Sequence, residues 1–403
     1  MKNSCQIRCK AAEARLEARI PLAGSCRARR ILYFYRIVSV RIMQLPYKRI
    51  IVKIGSNVLT RSDGLPDQER MAHLVEQVAR LRDKGLEIIL VSSGAVAFGR
   101  SLITVSKKYD TVAARQLLAS TGQVQLINTF ARLFRQHGTL CSQVLVTKED
   151  FRDRLHYLNM KNCFEILLQH KVVPVVNEND VISVTELMFT DNDELAGLIA
   201  SMLNAQALIL LTNVDGIYRG DPGQGNAELI EEVGDHSTVL SSFVSSQRSQ
   251  FGRGGMITKT GIAQKAAGLG IAVHIANGTA EDILLRILRN DVRHTRFVPR
   301  KSASGKKKWI AHAGHAAKGL VQINEGAKAA LTSSRASSLL PVGIIAVKED
   351  FQKGEVIRLV DESEKLVGLG IAEYNSEKAR ERLGQKKQKA LVHYDYLFLN
   401  TEA

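Results

Sequence analysis

From Lys48 onward, short β-branched runs alternate with amphipathic stretches, and this alternation restricts the fold more than any other feature. The runs KRIIVKIG, LEIILV, SQVLV, KVVPVV, ALILLT and IAVHIA predict strands. Apolar residues between the first two runs recur at helical spacing, as in Met71, Leu74 and Val78. We therefore predict an α/β fold with an open, mostly parallel sheet sandwiched by helices.

Polar residues follow four of the predicted strands, at the point where each strand ends. GS follows IIVKI, SSG follows IILV, NEND follows VVPVV and TNVDG follows LILL. Parallel strands end at the same edge of a sheet, and ligands of open α/β sheets bind beyond that edge. The four polar clusters therefore predict a single site.

The net charge of +16 is concentrated in two segments of the chain. Residues 1–42 hold ten lysines or arginines against two glutamates, and residues 293–308 hold seven against no acid. A basic chain is a candidate for nucleic-acid binding, but here the charge lies outside the predicted sheet. We therefore do not expect nucleic acid to be the main partner.

Composition also divides the chain into domains. We expect residues 1–42 to be a basic extension that is disordered or misassigned, because Met43 offers a start directly before the first strand. Residues 43–292 carry the alternating pattern, and residues 293–308 form a basic linker. We expect residues 309–403 to form a small β-rich domain with a C-terminal tail.

The five cysteines form no CxxC pair, and no apolar run near the start is long enough to cross a membrane. Both observations favour a cytoplasmic protein.

The chain lacks the Walker, dinucleotide-binding, HExxH and GxSxG motifs, so a phosphate-binding site must be formed by other residues. FGRGGMITKTG, residues 251–261, places glycines before a helix with Lys259 one turn inside it, so N–H groups and a cation could face an anion. Lys53, inside an apolar strand, is a second candidate cation. The alternatives are a flexible glycine loop with a surface lysine, and an edge lysine that extends into solvent.

Three further stretches offer candidates for substrate binding. SSGAVAFG, with Ser93, could hold a carboxylate or could be only a tight strand-to-helix turn. NEND, with Asp180, could accept from an ammonium group or could be an Asx turn. TNVDGIY, with Thr212 and Asn213, suits the edge of a nucleotide base, although it is weak evidence alone.

FTDNDELA, residues 189–196, places Asp191, Asn192 and Asp193 directly before a helical pattern. Asp191 or Asn192 could simply cap that helix. An EF-hand would need a central glycine and further oxygen ligands, and the sequence supplies neither, so a dedicated metal site is not expected. Contact with a substrate is the third possibility.

Six of these motifs together resemble a known family. KIGSNVLT, VSSGAVAFGR, VPVVNENDVIS, FTDNDELAGLIA, LLTNVDGIYRGDP and GRGGMITK, in this order, are similar to the glutamate 5-kinases, which have the amino acid kinase fold. The resemblance extends from about Tyr47 to the end of the chain, and SSLLPVGI and GEVIRLVD resemble the PUA domain of many bacterial members. Each motif alone is weak, whereas six in register are specific.

The resemblance implies ATP-dependent phosphorylation of the γ-carboxylate of L-glutamate to γ-glutamyl 5-phosphate, the first step of proline biosynthesis. It assigns Lys53 and Lys259 to the transferring phosphoryl group, and Asp193 to the orientation of both lysines. The transfer is in line, and it needs no general base because a carboxylate is already a nucleophile.

The resemblance also assigns the residues that bind each substrate. Those for glutamate are Ser93, Asp180 and Asn192. Those for ATP are Lys53, Thr212, Asn213, Arg253, Gly254, Gly255, Met256, Ile257, Thr258 and Lys259. Asn213 departs from members that carry Asp at this position.

Cofactors and partners follow from the same resemblance. Mg²⁺ is expected on the ATP phosphates, with no protein ligand assigned. Proline is expected as a feedback inhibitor, the chain is expected to form a homo-oligomer (dimer or tetramer), and it is expected to associate with glutamyl phosphate reductase. No membrane contact is expected.

Other functions remain open at this point. Acetylglutamate, aspartate and uridylate kinases share the lysines and the glycine loop. PUA modules elsewhere bind RNA, and the linker is basic, so an RNA-binding protein is the alternative from another class. An inactive paralogue is disfavoured because Lys53, Lys259 and the acidic loop are all present.

Overall fold

The structure is a computed structural model that describes residues 45–106, 109–182, 191–220, 227–234, 255–300, 309–310, 317–333 and 337–399. The predicted extension, residues 1–42, lies outside the described residues. The same is true of Phe189, Thr190, Arg253 and Gly254 in the predicted site motifs. Both sheets described below lie in one compact unit, Tyr47–Ala403.

The strands of the larger domain include all six that the sequence predicts. In chain order they are β1 (Arg49–Ile54), β2 (Glu87–Ser92), β3 (Cys141–Val146), β4 (Val173–Glu178), β5 (Ala207–Thr212), β6 (Ile217–Arg219), β7 (Glu228–Ile230), β8 (Glu232–Val233), β9 (Ala272–Asn277) and β10 (Thr295–Phe297).

The helices that flank these strands follow the predicted helical spacing. In chain order they are α1 (Ser56–Leu59), α2 (Gln68–Asp83), α3 (Ala95–Leu102), α4 (Thr111–Gln136), α5 (Lys148–Arg152), α6 (Arg154–Gln169), α7 (Asn192–Met202), α8 (Met256–Gly268) and α9 (Ile283–Arg289).

An eight-stranded sheet has the order β3-β4-β2-β1-β5-β9-β10-β8, and β6 pairs with β7 in a separate ribbon. The strands from β3 to β9 in this order are parallel, while β10 runs antiparallel to β9. Every residue of β4 and β5 is buried, which explains their continuous apolar runs. The prediction of an α/β fold with a mostly parallel sheet is confirmed.

Close packing fixes α4 against α3. A Cβ atom on Gly122 of α4 would lie 1.8 Å from the carbonyl oxygen of Ala95, and one on Gly99 of α3 would lie 2.1 Å from that of Leu118. Only glycine permits this approach of two backbones. Gly94 precedes α3 with a φ of 110°, a left-handed conformation that glycine adopts without strain. These glycines place α4 over the site described below.

A second, five-stranded sheet forms the C-terminal domain, in the order β12-β11-β13-β14-β15. Its elements are β11 (Gly319–Ile323), α10 (Glu325–Thr332), a 3₁₀ turn (Pro341–Gly343), β12 (Ile344–Val347), β13 (Val356–Val360), β14 (Leu366–Ile371), α11 (Ser376–Glu381), a second 3₁₀ turn (Tyr394–Tyr396) and β15 (Leu397–Leu399). Val356 and Leu369 of this sheet share a buried cluster with Tyr157 and Trp309. The two sheets are therefore joined by an apolar core.

The eight-stranded sheet extends into the segment 293–308, which the sequence predicted as a linker. β10 lies in that segment, and Thr295 and Phe297 are fully buried. Ile217 N donates to Thr295 Oγ1 at 2.8 Å, so β10 is hydrogen-bonded to the first residue of β6. Residues 301–308 lie outside the described part of the chain.

Candidate active site

Two lysines and one aspartate meet at the centre of the site, and we call Lys53, Asp193 and Lys259 the charged cluster. Lys53 Nζ lies 2.6 Å from Asp193 Oδ1, and Lys259 Nζ donates to Asp193 Oδ2 at 2.6 Å. Asp193 is fully buried, and the lysines are 5% and 8% exposed. Lys53 comes from β1, Asp193 from the first turn of α7 and Lys259 from the first turn of α8, so three distant segments converge here.

Asp193 and Lys259 stay ionised because opposite charges compensate for their burial. Burial opposes the charge on Asp193, but the two ammonium groups outweigh it and hold the pKa of that carboxyl well below its usual range. Burial likewise opposes the charge on Lys259, yet the Asp193 carboxylate raises the pKa of this lysine above its ordinary value. Two cations share one anion, so the three groups carry a net positive charge.

Asp191 caps α7 and also lies close to the charged cluster. Its Oδ1 accepts hydrogen bonds from Asp193 N at 2.8 Å and Glu194 N at 3.1 Å. Burial, followed by the negative charge of Asp193, raises the pKa of Asp191 to about 6. The capping role that the sequence allowed for this residue is therefore present.

Asn192 links the ends of two strands. Its Nδ2 donates to Ser92 O at 3.1 Å, to Ser93 Oγ at 3.1 Å and to Asn177 Oδ1 at 3.0 Å. Asn177 Nδ2 in turn donates to Gln123 Oε1 on α4 at 2.9 Å. Ser93 and Asn192, both predicted to bind glutamate, are thus in direct contact.

Asp180, the third predicted glutamate residue, is paired with Arg115 of α4. Arg115 Nε and Nη2 donate to Asp180 Oδ1 at 2.9 and 2.5 Å. Among the described residues no hydrogen bond joins Asp180 to Ser93 or Asn192. Arg115 links Asp180 to α4, and α4 reaches Asn192 through Gln123 and Asn177.

Sequence reasoning missed Arg115 and Gln123. Gln116 Nε2 donates to Val181 O at 2.8 Å, so a second glutamine of α4 contacts the same segment. Gln116 and Gln123 are seven residues apart and therefore lie on one face of the helix. That spacing was a usable signal, whereas a single arginine in an amphipathic helix was not.

Apart from Lys53 on β1, the predicted ATP residues that the structure describes lie at the end of β5 and at the start of α8. Thr212 ends β5, and its Oγ1 lies 3.3 Å from Asn213 Oδ1, with Asn213 exposed. Gly255 precedes α8 and no side chain caps that helix among the described residues, so its first N–H groups can meet an anion. Met256, Ile257 and Thr258 form the first turn before Lys259.

The described part of the chain offers neither a metal-binding cluster nor a membrane-spanning helix. Within it, no group of three or more His, Cys, Asp or Glu side chains is placed to hold a metal ion. None of the helices that the structure describes combines the length and the apolar character needed to cross a membrane.

Two family models match the chain. The amino acid kinase family model covers residues 48–277, which include the charged cluster and the eight-stranded sheet up to β9. The chain belongs to the amino acid kinase family. The PUA domain model covers residues 319–394, so the C-terminal sheet belongs to the PUA family. Both resemblances inferred from the sequence motifs are confirmed.

Curated relatives narrow the place of the chain within the amino acid kinase family. A protein of Bacteroides thetaiotaomicron named glutamate 5-kinase is 52% identical over 89% of this chain and 100% of its own length. Proteins of the same name from Chlorobaculum tepidum and Thermoanaerobacter sp. are 49% and 38% identical, over 88% and 84% of this chain and 98% and 91% of their own lengths. The chain spans nearly the full length of these relatives.

Proposed function

We propose that the chain catalyses the ATP-dependent phosphorylation of the γ-carboxylate of L-glutamate to γ-glutamyl 5-phosphate, the first step of proline biosynthesis. The relatives named glutamate 5-kinase support this activity. The structural observation that carries it is the charged cluster, in which Asp193 holds two lysines 2.6 Å away at the carboxyl edge of a parallel sheet.

The charged cluster suits phosphoryl transfer between two anions. The γ-carboxylate has an ordinary pKa of about 4 and is ionised at neutral pH, so it attacks without a general base. Lys53 and Lys259 would offset the negative charge on the transferring group, and a preorganised donor of this kind is worth ~10²–10³ in kcat. Asp193 holds both ammonium groups in place, and its lowered pKa keeps it from acting as a base.

Glutamate would bind between α3, Asn192 and Asp180. The helix α3 begins at Ala95 without a side-chain cap among the described residues, so its first N–H groups can hold a carboxylate. Ser93 Oγ and Asn192 Nδ2 lie beside that helix start and would orient the same ligand. Asp180 would accept a hydrogen bond from the α-ammonium group.

ATP would bind along β5 and the start of α8. Thr212 and Asn213 would contact the nucleotide, while the N–H groups of the Gly255–Thr258 turn and Lys259 would hold its phosphates. Arg253 and Gly254 belong to the same proposal, although they lie outside the described residues. Mg²⁺ would be carried by the ATP phosphates and would neutralise part of their charge, as it retains water readily and favours phosphate oxygens.

We also propose the domain division drawn from composition and the regulatory partners that the resemblance implies. The kinase domain would occupy residues 43–292, to which β10 of the segment 293–308 is added, and the PUA domain with its tail would occupy residues 309–403. Proline would inhibit the enzyme, the chain would assemble as a dimer or tetramer, and glutamyl phosphate reductase would associate with it. Proline titration, light scattering and co-purification with the reductase test these three statements.

An ADP-release assay with four acceptor substrates tests the proposed activity. L-glutamate, N-acetylglutamate, aspartate and UMP are compared at equal ATP and Mg²⁺ concentrations, with and without proline. Turnover with L-glutamate and none of the others is the expected result. Turnover confined to one of the other three would refute the proposal and assign a different acceptor.

A further inference from the structure

Arg115 is the charged residue by which α4 contacts the end of β4. Both of its hydrogen bonds, from Nε at 2.9 Å and from Nη2 at 2.5 Å, reach the same oxygen, Asp180 Oδ1. Nη2 also lies 3.8 Å from Glu178 Oε2. The guanidinium therefore faces the segment that is proposed to receive the amino group of the substrate.

Burial makes this ion pair necessary. The side chain of Asp180 is 7% exposed and that of Arg115 is 30% exposed. A carboxylate removed from water is costly unless donors compensate it. The hydrogen bonds that described residues donate to Asp180 reach Oδ1, and none of them reaches Oδ2.

Two neutral contacts hold α4 in register with the same segment. Gln116 Nε2 donates to Val181 O at 2.8 Å, and Gln123 Oε1 accepts from Asn177 Nδ2 at 2.9 Å. Together with the glycine contacts between α3 and α4, they restrain the helix backbone from which Arg115 reaches Asp180.

We propose that Arg115 is a positioning residue that gives the site its specificity for a free α-amino group. It holds Asp180 Oδ1 so that Oδ2 points to the α-ammonium group of glutamate, an inference that rests on the proposed function. The planar guanidinium fork fixes a carboxylate more firmly than a lysine ammonium does. Its loss should weaken the binding of an amino acid and leave the phosphoryl transfer step intact.

Glutarate, which is glutamate without the amino group, separates an effect on the α-ammonium group from an effect on the whole glutamate site. We compare the KM for L-glutamate with the inhibition constant of glutarate as a competitor, in wild type and in Arg115→Gln. The expected change is a rise of about tenfold or more in KM, with kcat within about threefold and glutarate binding little altered, since only an ammonium ligand uses Asp180. Arg115→Lys should recover part of the loss.

Arg132→Gln is the matched control, because Arg132 lies on the same helix at an exposed position and bonds only to Gln68 among the described residues. It should leave all three constants unchanged. Equal weakening of glutamate and glutarate in Arg115→Gln would overturn the proposal, as would an unchanged KM.

A double variant keeps the test valid if Arg115→Gln folds poorly. Asp180→Asn removes the buried charge that Arg115 compensates, so Arg115→Gln in that background should fold and should bind glutamate no worse than Asp180→Asn alone. An added loss of about tenfold in the double variant would contradict the positioning role. If the wild type does not phosphorylate glutamate, the proposed function is wrong. If the wild type is active and Arg115→Gln has an unchanged KM for glutamate, only the positioning role of Arg115 is wrong.

Discussion

The eight-stranded sheet buries two polar clusters that differ in charge. The charged cluster joins Lys53, Asp193 and Lys259 beside β1. The histidine cluster, which we define as Tyr47, His274 and His294, lies beside β9 and β10. The charged cluster and the two histidines are almost completely hidden from solvent, whereas Tyr47 is half-buried. The same sheet therefore buries an ionic group of side chains and a neutral one.

The histidine cluster is complete without any charge. His294 Nδ1 must donate to Val292 O at 2.9 Å, because a carbonyl oxygen only accepts. His294 Nε2 then accepts from His274 Nδ1 at 2.8 Å, and His274 Nε2 accepts from the Tyr47 hydroxyl at 3.0 Å. Burial lowers the pKa of His274 to about 3 and lowers that of His294 as well.

The difference shows what each cluster can do. Every ring nitrogen in the histidine cluster already has a partner, so that cluster serves the fold. The charged cluster keeps two cations on one anion and stands at the carboxyl ends of parallel strands, so it can attract a further anion. Buried charge retained at this cost indicates a catalytic use, whereas buried neutral groups indicate stability.

The largest effect is expected from removal of the shared anion. Asp193→Ala should lower kcat by about 10³ and destabilise the fold by about 3–5 kcal/mol, because two buried ammonium groups lose the carboxylate that contacts them both. ADP release and urea unfolding measure the two effects. His274→Ala is the comparison from the histidine cluster, and it should leave kcat nearly unchanged. A kcat within tenfold of wild type for Asp193→Ala would remove the distinction between the clusters.

Removal of either lysine should come next. Lys53→Ala and Lys259→Ala should each lower kcat by about 10²–10³ while the fold persists, since each removes one of the two donors proposed for the phosphoryl group. The exposed Lys265, later on α8, supplies a matched control, and Lys265→Ala should turn over like the wild type. Near wild-type kcat in Lys53→Ala or Lys259→Ala would exclude that lysine from the reaction.

A smaller effect is expected beside the charged cluster. Asn192→Ala should raise the KM for glutamate by about tenfold, with a lesser change in kcat, because it breaks the hydrogen bonds to Ser92, Ser93 and Asn177. Steady-state kinetics should show mainly a KM effect for Asn192→Ala and mainly a kcat effect for Asp193→Ala. If each variant changes KM and kcat equally, the segment 191–193 serves only as the start of α7.

The smallest effect on activity, and a distinct effect on stability, should come from the histidine cluster. Unfolded histidines bind protons below about pH 6.5, whereas the folded ones resist protonation, so the free energy of unfolding should fall as pH falls from about 6.5 to 4. Each histidine contributes at most ~1.4 kcal/mol per pH unit. His274→Asn should flatten this slope in urea unfolding at pH 7, 6, 5 and 4. Parallel slopes for wild type and variant would show that the cluster does not resist protonation.

The hydrophobic pattern of the sequence predicts those strands whose residues are selected by burial alone. KRIIVKIG and ALILLT became β1 and β5, because continuous burial on both faces of a parallel sheet selects such runs. Lys53 is a candidate from the sequence alone because a charge inside an apolar strand needs a partner. Its partner, Asp193, follows only from the family resemblance.

Long-range contacts explain what was missed. Arg115 lies in a helix of ordinary amphipathic character, and only the packing of α4 on α3 brings it to Asp180. β10 has only three residues and lies among basic neighbours, so the sequence pattern does not predict this strand or its pairing with β9. The hydrogen bond between His274 and His294 depends on that pairing and could not be predicted either.

The central claim is that the charged cluster transfers phosphate to the γ-carboxylate of glutamate, and trapping the product with hydroxylamine tests it most directly. An acyl phosphate reacts with hydroxylamine to give a hydroxamate and phosphate. We predict that wild type, with L-glutamate and ATP, forms γ-glutamyl hydroxamate in step with ADP, and that Asp193→Asn loses both together. ADP release without hydroxamate, or undiminished hydroxamate in Asp193→Asn, would contradict the account.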